Sequence, residues 1–134
     1  MPRCRVRLLA LLCFASAGAQ AAKPVEIPCQ SGTPAGELAC LQPDIQAVET
    51  AVERQLYQVG KKLRESQRTK STAALQRLVS ANRSWKHYRD SYCSTEAYAA
   101  AGAGEWMKVR LAECHMRLTK DWLESLRDIE ARLE

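Results

Sequence analysis

At 134 residues, with 20 basic and 15 acidic side chains, the chain is too short for two ordinary domains. Its formal charge of +5 does not mark a nucleic-acid binder, because Arg3, Arg5 and Arg7 sit in an acid-free N-terminal stretch that reads as an export signal. Without that stretch, 17 bases face 15 acids, a balance with no overall pull toward polyanions.

The signal reading follows from order. A positive start is followed by the apolar run Leu8 to Ala15, shorter than the ~20 residues of a membrane span. Ala17-Gly18-Ala19 and Ala19-Gln20-Ala21 are two cleavage sequences, and cleavage after Ala21 is preferred to cleavage after Ala19. An uncleaved anchor is disfavoured by the short run. Lipid attachment at Cys13 is disfavoured by Leu12, where a small residue is wanted. The expected organisation is a signal peptide at 1–21 and a single domain at 22–134, periplasmic or secreted. Four cysteines remain in that domain, Cys29, Cys40, Cys93 and Cys114. An even number in an oxidising compartment points to disulfides.

Residues 22–42 read as irregular, broken by Pro24, Pro28, Gly32, Pro34 and Gly36. From Pro43, suited to a first helical turn, the positions Ile45, Val48, Val52, Leu56, Val59 and Leu63 recur at steps of three and four. They form the apolar stripe of a first helix that fades near Gln67 to Lys70. Ser71 is a candidate N-cap for a second helix. Its stripe is Leu75, Leu78, Trp85, Tyr88 and Tyr92, with Asn82 on the same face and Val79, Ala81 and Cys93 widening it. Gly102-Ala103-Gly104 breaks the pattern. A third helix from Gly104 or Glu105 carries Met107, Leu111, Cys114, Leu118, Trp122, Ser125/Leu126, Ile129 and Leu133. No alternating β-branched run occurs. The expected fold is all-α: a three-helix antiparallel bundle, up-down-up, behind a disulfide-stapled N-terminal segment.

In a hairpin turning at Ala103, Cys93 and Cys114 lie about 15 Å from the turn on facing helices, within disulfide reach. Pairing them leaves Cys29 with Cys40. The rival connectivity ties Cys29 to Cys93 or Cys114, with Cys40 taking the other. No metal-ligand spacing is present: Cys114 and His115 are adjacent and diverge on a helix. No cofactor is implied. Neither His87 nor His115 has a local serine motif or phosphate loop beside it, and no acid lies on an apolar stripe where its pKa would rise. The sequence therefore reads as a non-enzyme.

The densest segment runs from Trp85 to Cys93. One reading is structural, with Trp85, Tyr88 and Tyr92 packing, Cys93 bridging, and Arg89 and Asp90 facing solvent or capping a loop. The other gives Arg89 or Asp90 a role in anchoring the N-terminal loop or meeting a partner. The pattern Cys29-x10-Cys40, then Trp85-x2-Tyr88-Arg89-Asp90-x2-Cys93, then Cys114, resembles the LprI-type lysozyme inhibitor N-terminal domain across the whole expected domain. That family usually has a glutamine where this chain has Asn82. It also favours a Leu-Asn pair ahead of a tyrosine in the first helix, which the residues before Tyr57 do not reproduce.

The resemblance implies a small exported, disulfide-bonded helical domain and, for the named member, binding of lysozyme. A strongly basic lysozyme is steered by an acidic surface, which the overall charge does not supply, so a local patch is required. The candidate is the loop Gln30 to Leu38 with Ser31, Thr33 and Glu37, since loops on rigid scaffolds often carry binding. Two functions are thus open: non-catalytic occlusion of lysozyme, or a structural or interaction module that binds another envelope protein.

Overall fold

The computed structural model describes residues 29–66 and 72–133. The expected signal peptide, Pro24, Pro28 and the Ser71 cap lie outside the described residues. Three helices account for nearly all of the rest: α1 (Pro34–Glu65), α2 (Thr72–Ala101) and α3 (Glu105–Ala131). The Glu49 carboxylate of α1 approaches Arg89 of α2, and Gly60 of α1 lies against Leu75 of α2. Ascending α1 therefore means descending α2. Lys62 near the end of α1 reaches Glu130 near the end of α3 at 3.1 Å, so α1 and α3 run in the same direction. This is the up-down-up order expected from the sequence.

The first helix starts nine residues earlier than its apolar periodicity indicates. Thr33 is the N-cap: its hydroxyl accepts from the Gly36 N–H at 3.1 Å, and its carbonyl accepts from the Glu37 N–H at 2.9 Å. Pro34 follows in the first turn, where a missing N–H costs nothing. Glu37 reaches back to the Gly32 N–H at 3.1 Å. Cys29 bridges to Cys40. With these turns already fixed, extending the helix needs no new nucleus, and it runs through Pro43 despite the donor that proline lacks. The residues between 34 and 42 are thus helix and not loop. Gly36 serves a close approach, since a Cβ there would fall 1.9 Å from the Gln30 carbonyl oxygen.

Burial centres on α3, which packs along both other helices, whereas α1 and α2 meet over only a few residues. The core joins Val48, Val52 and Val59 of α1 to Leu123 and Leu126 of α3 and Leu78 of α2. Leu56 and Leu63 pack at its edge, so the stripe read for the first helix is the buried one. The stripe read for α2 is only partly so. Leu78 and Cys93 are buried and Trp85 is half-buried, but Tyr88, Tyr92, Val79 and Ala81 are exposed. With one main neighbour, α2 needs only a narrow buried line, and small Ala97 completes it. On α3, Leu126 is the buried member of the Ser125/Leu126 pair, Ile129 is exposed, and Val109, Thr119 and Leu123 are buried beyond the expected stripe. The wider face reflects two packing partners. Gly102, with φ of +63°, ends α2. The bridge between Cys93 and Cys114 spans the hairpin with Cα atoms 5.5 Å apart.

Candidate functional site

Within the Trp85–Cys93 segment, Trp85, Arg89 and Cys93 reach α3. Trp85 stacks on Trp122 with ring centroids 5.4 Å apart. The Trp122 indole N–H donates to the Asn82 side-chain oxygen at 3.1 Å, so the amide that stands in place of the family's usual glutamine satisfies a half-buried donor. The Arg89 guanidinium lies over the Trp85 ring, 5.0 Å from its centre, and donates to the Thr119 hydroxyl at 3.2 Å. Thr119, buried, donates a hydrogen bond from its hydroxyl to the His115 carbonyl at 2.6 Å. Arg89 also bonds Asp90 at 3.0 Å and lies 3.8 Å from Glu49.

Arg89 is therefore a brace joining all three helices, with its side chain only 12 % exposed. It is turned inward, and among the described residues its hydrogen-bond and ion-pair partners are Asp90, Thr119 and Glu49. Asp90 is exposed, as are Tyr88 and Tyr92, whose rings tilt against each other 5.6 Å apart. Thr119 was missed by the sequence reading. Its signal is the need of a buried arginine for an acceptor on the facing helix.

His115 shares this region, with its Nε2 buried, lacking a hydrogen bond, and 3.6 Å from Asp90. Burial, then the Arg89 charge, hold its pKa below the ordinary value against the opposing pull of Asp90 and Glu49. His87 is exposed. The two histidines therefore differ: His87 meets solvent, whereas His115 sits beside the Arg89 brace.

The N-terminal candidates lie elsewhere. Ser31 is exposed in the turn, while Thr33 and Glu37 are engaged in the helix cap. From Glu37 to Glu49 is twelve helical residues, about 18 Å along α1, so the turn and the Arg89 brace do not form one site.

Between them runs a feature that the stripes did not announce. From Pro34 to Glu53, α1 carries Glu37, Asp44, Glu49 and Glu53 and no lysine or arginine. Asp44, Glu49 and Glu53 are exposed. Because α1 and α2 scarcely meet, a trough separates them. Its first part, a cavity of about 130 Å³, is lined by Glu49, Glu53, Leu56, Trp85, Lys86 and Arg89, among others. Its second part, about 180 Å³, continues past Leu56 to Tyr57, Arg64, Leu75 and Val79. The first part can accept hydrogen bonds and cations; the second is apolar.

Among the described residues no cluster of side chains is suited to a metal ion, and no helix is long and apolar enough to cross a membrane. Among known families, the profile described as Lysozyme inhibitor LprI matches residues 29–126. No curated protein and no solved structure matches the chain.

Proposed function

Because this chain belongs to the LprI lysozyme inhibitor family, we propose that it is an exported protein-binding module that blocks lysozyme by occupying it, without catalysis. The supporting observation is the carboxylate-bearing half of α1. The exposed acids Glu49 and Glu53, about 40° apart around α1, with Asp90 held beside Glu49 through Arg89, give a locally acidic face on a chain whose overall charge is not acidic. Such a face steers a basic partner, since complementary charge acts mainly on association rate. The brace under it keeps the carboxylates on a rigid scaffold, which limits the ordering cost of binding. Two disulfides support a working place outside the reducing cytoplasm, the compartment to which a signal peptide ending at Ala21 or Ala19 would deliver the chain.

The test is lysis of bacterial cell walls, followed by turbidity, with the purified exported protein. Inhibition of at least one of chicken-type, goose-type or invertebrate-type lysozyme is expected. Unchanged lysis by all three at molar excess removes the proposal.

A second reading draws on where the family motif lies. Trp85, Arg89 and Cys93 are interior bracing, so the motif encodes the bundle more directly than any target. On that reading the protein is an envelope interaction module that shares the scaffold and binds something other than lysozyme.

A further inference from the structure

Four cations of α3 have a carboxylate close by: Lys108 with Glu105, Arg110 with Glu113, Arg117 with Glu96 and Arg127 with Glu124. At the apolar end of the trough, Arg64 and Arg83 have no carboxylate partner among the described residues. From Thr72 to Arg89, α2 carries Arg77, Arg83, Lys86 and Arg89 and no acid. Glu53, the nearest acid of the trough lining, is eleven residues from Arg64, about 16 Å along α1 and well beyond the ~8 Å screening length at physiological salt. Glu65 adjoins Arg64 in sequence but projects about 100° away around the helix.

Between Arg64 and Arg83 lies apolar surface. Leu75 and Leu78 floor it, and Tyr57 and Val79 stand out from it, 64 % and 54 % exposed. We propose that this end of the trough docks on an anionic phospholipid surface. Tyr57 and Val79 enter the boundary between headgroups and acyl chains, and Arg64 and Arg83 pair with phosphates. Cations beside an amphipathic aromatic are the side chains that settle at that boundary.

The charge of the patch favours a phosphate-bearing surface: Arg64 and Arg83 flank the protruding Tyr57 and Val79, and no acid is among the residues that line it. The inference is independent of the lysozyme reading and uses the opposite end of the trough.

The experiment is co-sedimentation of the protein, as recovered after export, with two kinds of vesicle. One holds equal parts phosphatidylglycerol and phosphatidylcholine; the other is phosphatidylcholine alone. Binding to the anionic vesicles only, weakening as salt rises, is expected. Arg64→Glu with Arg83→Glu lowers the partition coefficient by about 20-fold or more, taking roughly fivefold for each cation near an anionic surface. Val79→Asp lowers it with no change in the arginines. Lys108→Glu with Lys120→Glu, the same charge change on exposed positions of α3, leaves it as in the unaltered protein. Helical circular dichroism, retained in all three variants, separates lost binding from lost fold. The proposal is overturned if anionic and neutral vesicles bind alike, or if the α3 pair reduces binding as much as the trough pair. It is also overturned if the arginines capture a soluble acidic helical peptide while the vesicles stay unbound.

Discussion

The two seams of α3 are made of different materials. Against α1 it buries branched aliphatic side chains, Val48, Val52 and Val59 facing Leu123 and Leu126. Polar links there are peripheral: Glu130 accepts from Gln55 and pairs with Lys62. Against α2 the contact is mostly specific: a disulfide, an indole–indole stack, an indole N–H to an amide oxygen, and a guanidinium set over an aromatic ring. The first kind of seam gains free energy in proportion to area and tolerates sliding. The second fixes register, because each link exists at one alignment only. The difference explains why α1 and α2 can stand apart: α3 grips each by its own means, and the trough is left between them.

Three perturbations separate the seams, in falling order of effect. Leu126→Ala removes a fully buried side chain from the aliphatic seam and is expected to cost about 4 kcal/mol in denaturant unfolding, transfer and cavity losses together. Replacing both Cys93 and Cys114 by serine releases the covalent link of the other seam. It is expected to cost about 3 kcal/mol, the chain-entropy value for a loop of that size. Arg89→Met keeps the bulk over Trp85 and removes the charge. The Thr119 hydroxyl keeps its bond to the His115 carbonyl, and Glu49 and Asp90 are already half-exposed to water, so the expected cost is only about 1–2 kcal/mol. Equal costs for Leu126→Ala and Arg89→Met would erase the distinction drawn here.

The smallest effect is pH-dependent. Burial, then Arg89, lower the His115 pKa in the fold, so the folded protein prefers the neutral ring. The stability tied to that preference is complete above about pH 6.5, the unfolded value. It is lost as pH falls from there toward the lowered folded value. Urea midpoints are therefore expected to fall on acidification from about pH 7.5 to about pH 5 more steeply than in His115→Gln, in which that contribution is absent. Parallel curves for the two proteins would remove His115 as the cause.

The same contrast governs what the sequence made legible. The aliphatic seam is periodic, so Val48, Val52, Leu56, Val59 and Leu63 could be read directly from their spacing. The cysteine pairing followed from equal distances to the Gly102–Gly104 turn. The other seam mixes polarity with burial, and hydrophobic spacing is a poor guide to it. Arg89 and Thr119 go inside because they satisfy each other, while Tyr88 and Tyr92, apolar by count, stay outside because α2 has only one main neighbour. The start of α1 was obscured by three prolines and glycines that punctuate most chains. Here Thr33, Pro34 and Gly36 compose a helix cap, and Pro43 sits inside the helix that the cap begins. The acid half of α1 was legible as charge, but the trough that it edges depends on how far α1 stands from α2, which no local pattern encodes.

The central functional claim is that the acidic half of α1 is the surface that meets lysozyme. Isothermal titration of a lysozyme type that the exported protein inhibits, into that protein and into its Glu49→Lys, Glu53→Lys variant with unaltered helical circular dichroism, tests it most directly. The account predicts saturable one-to-one binding by the unaltered protein, strongest at low salt, and a loss of at least about tenfold in affinity for the variant, since close charge pairs across interfaces carry 1.5 kcal/mol or more. Equal affinity for the two proteins would contradict it.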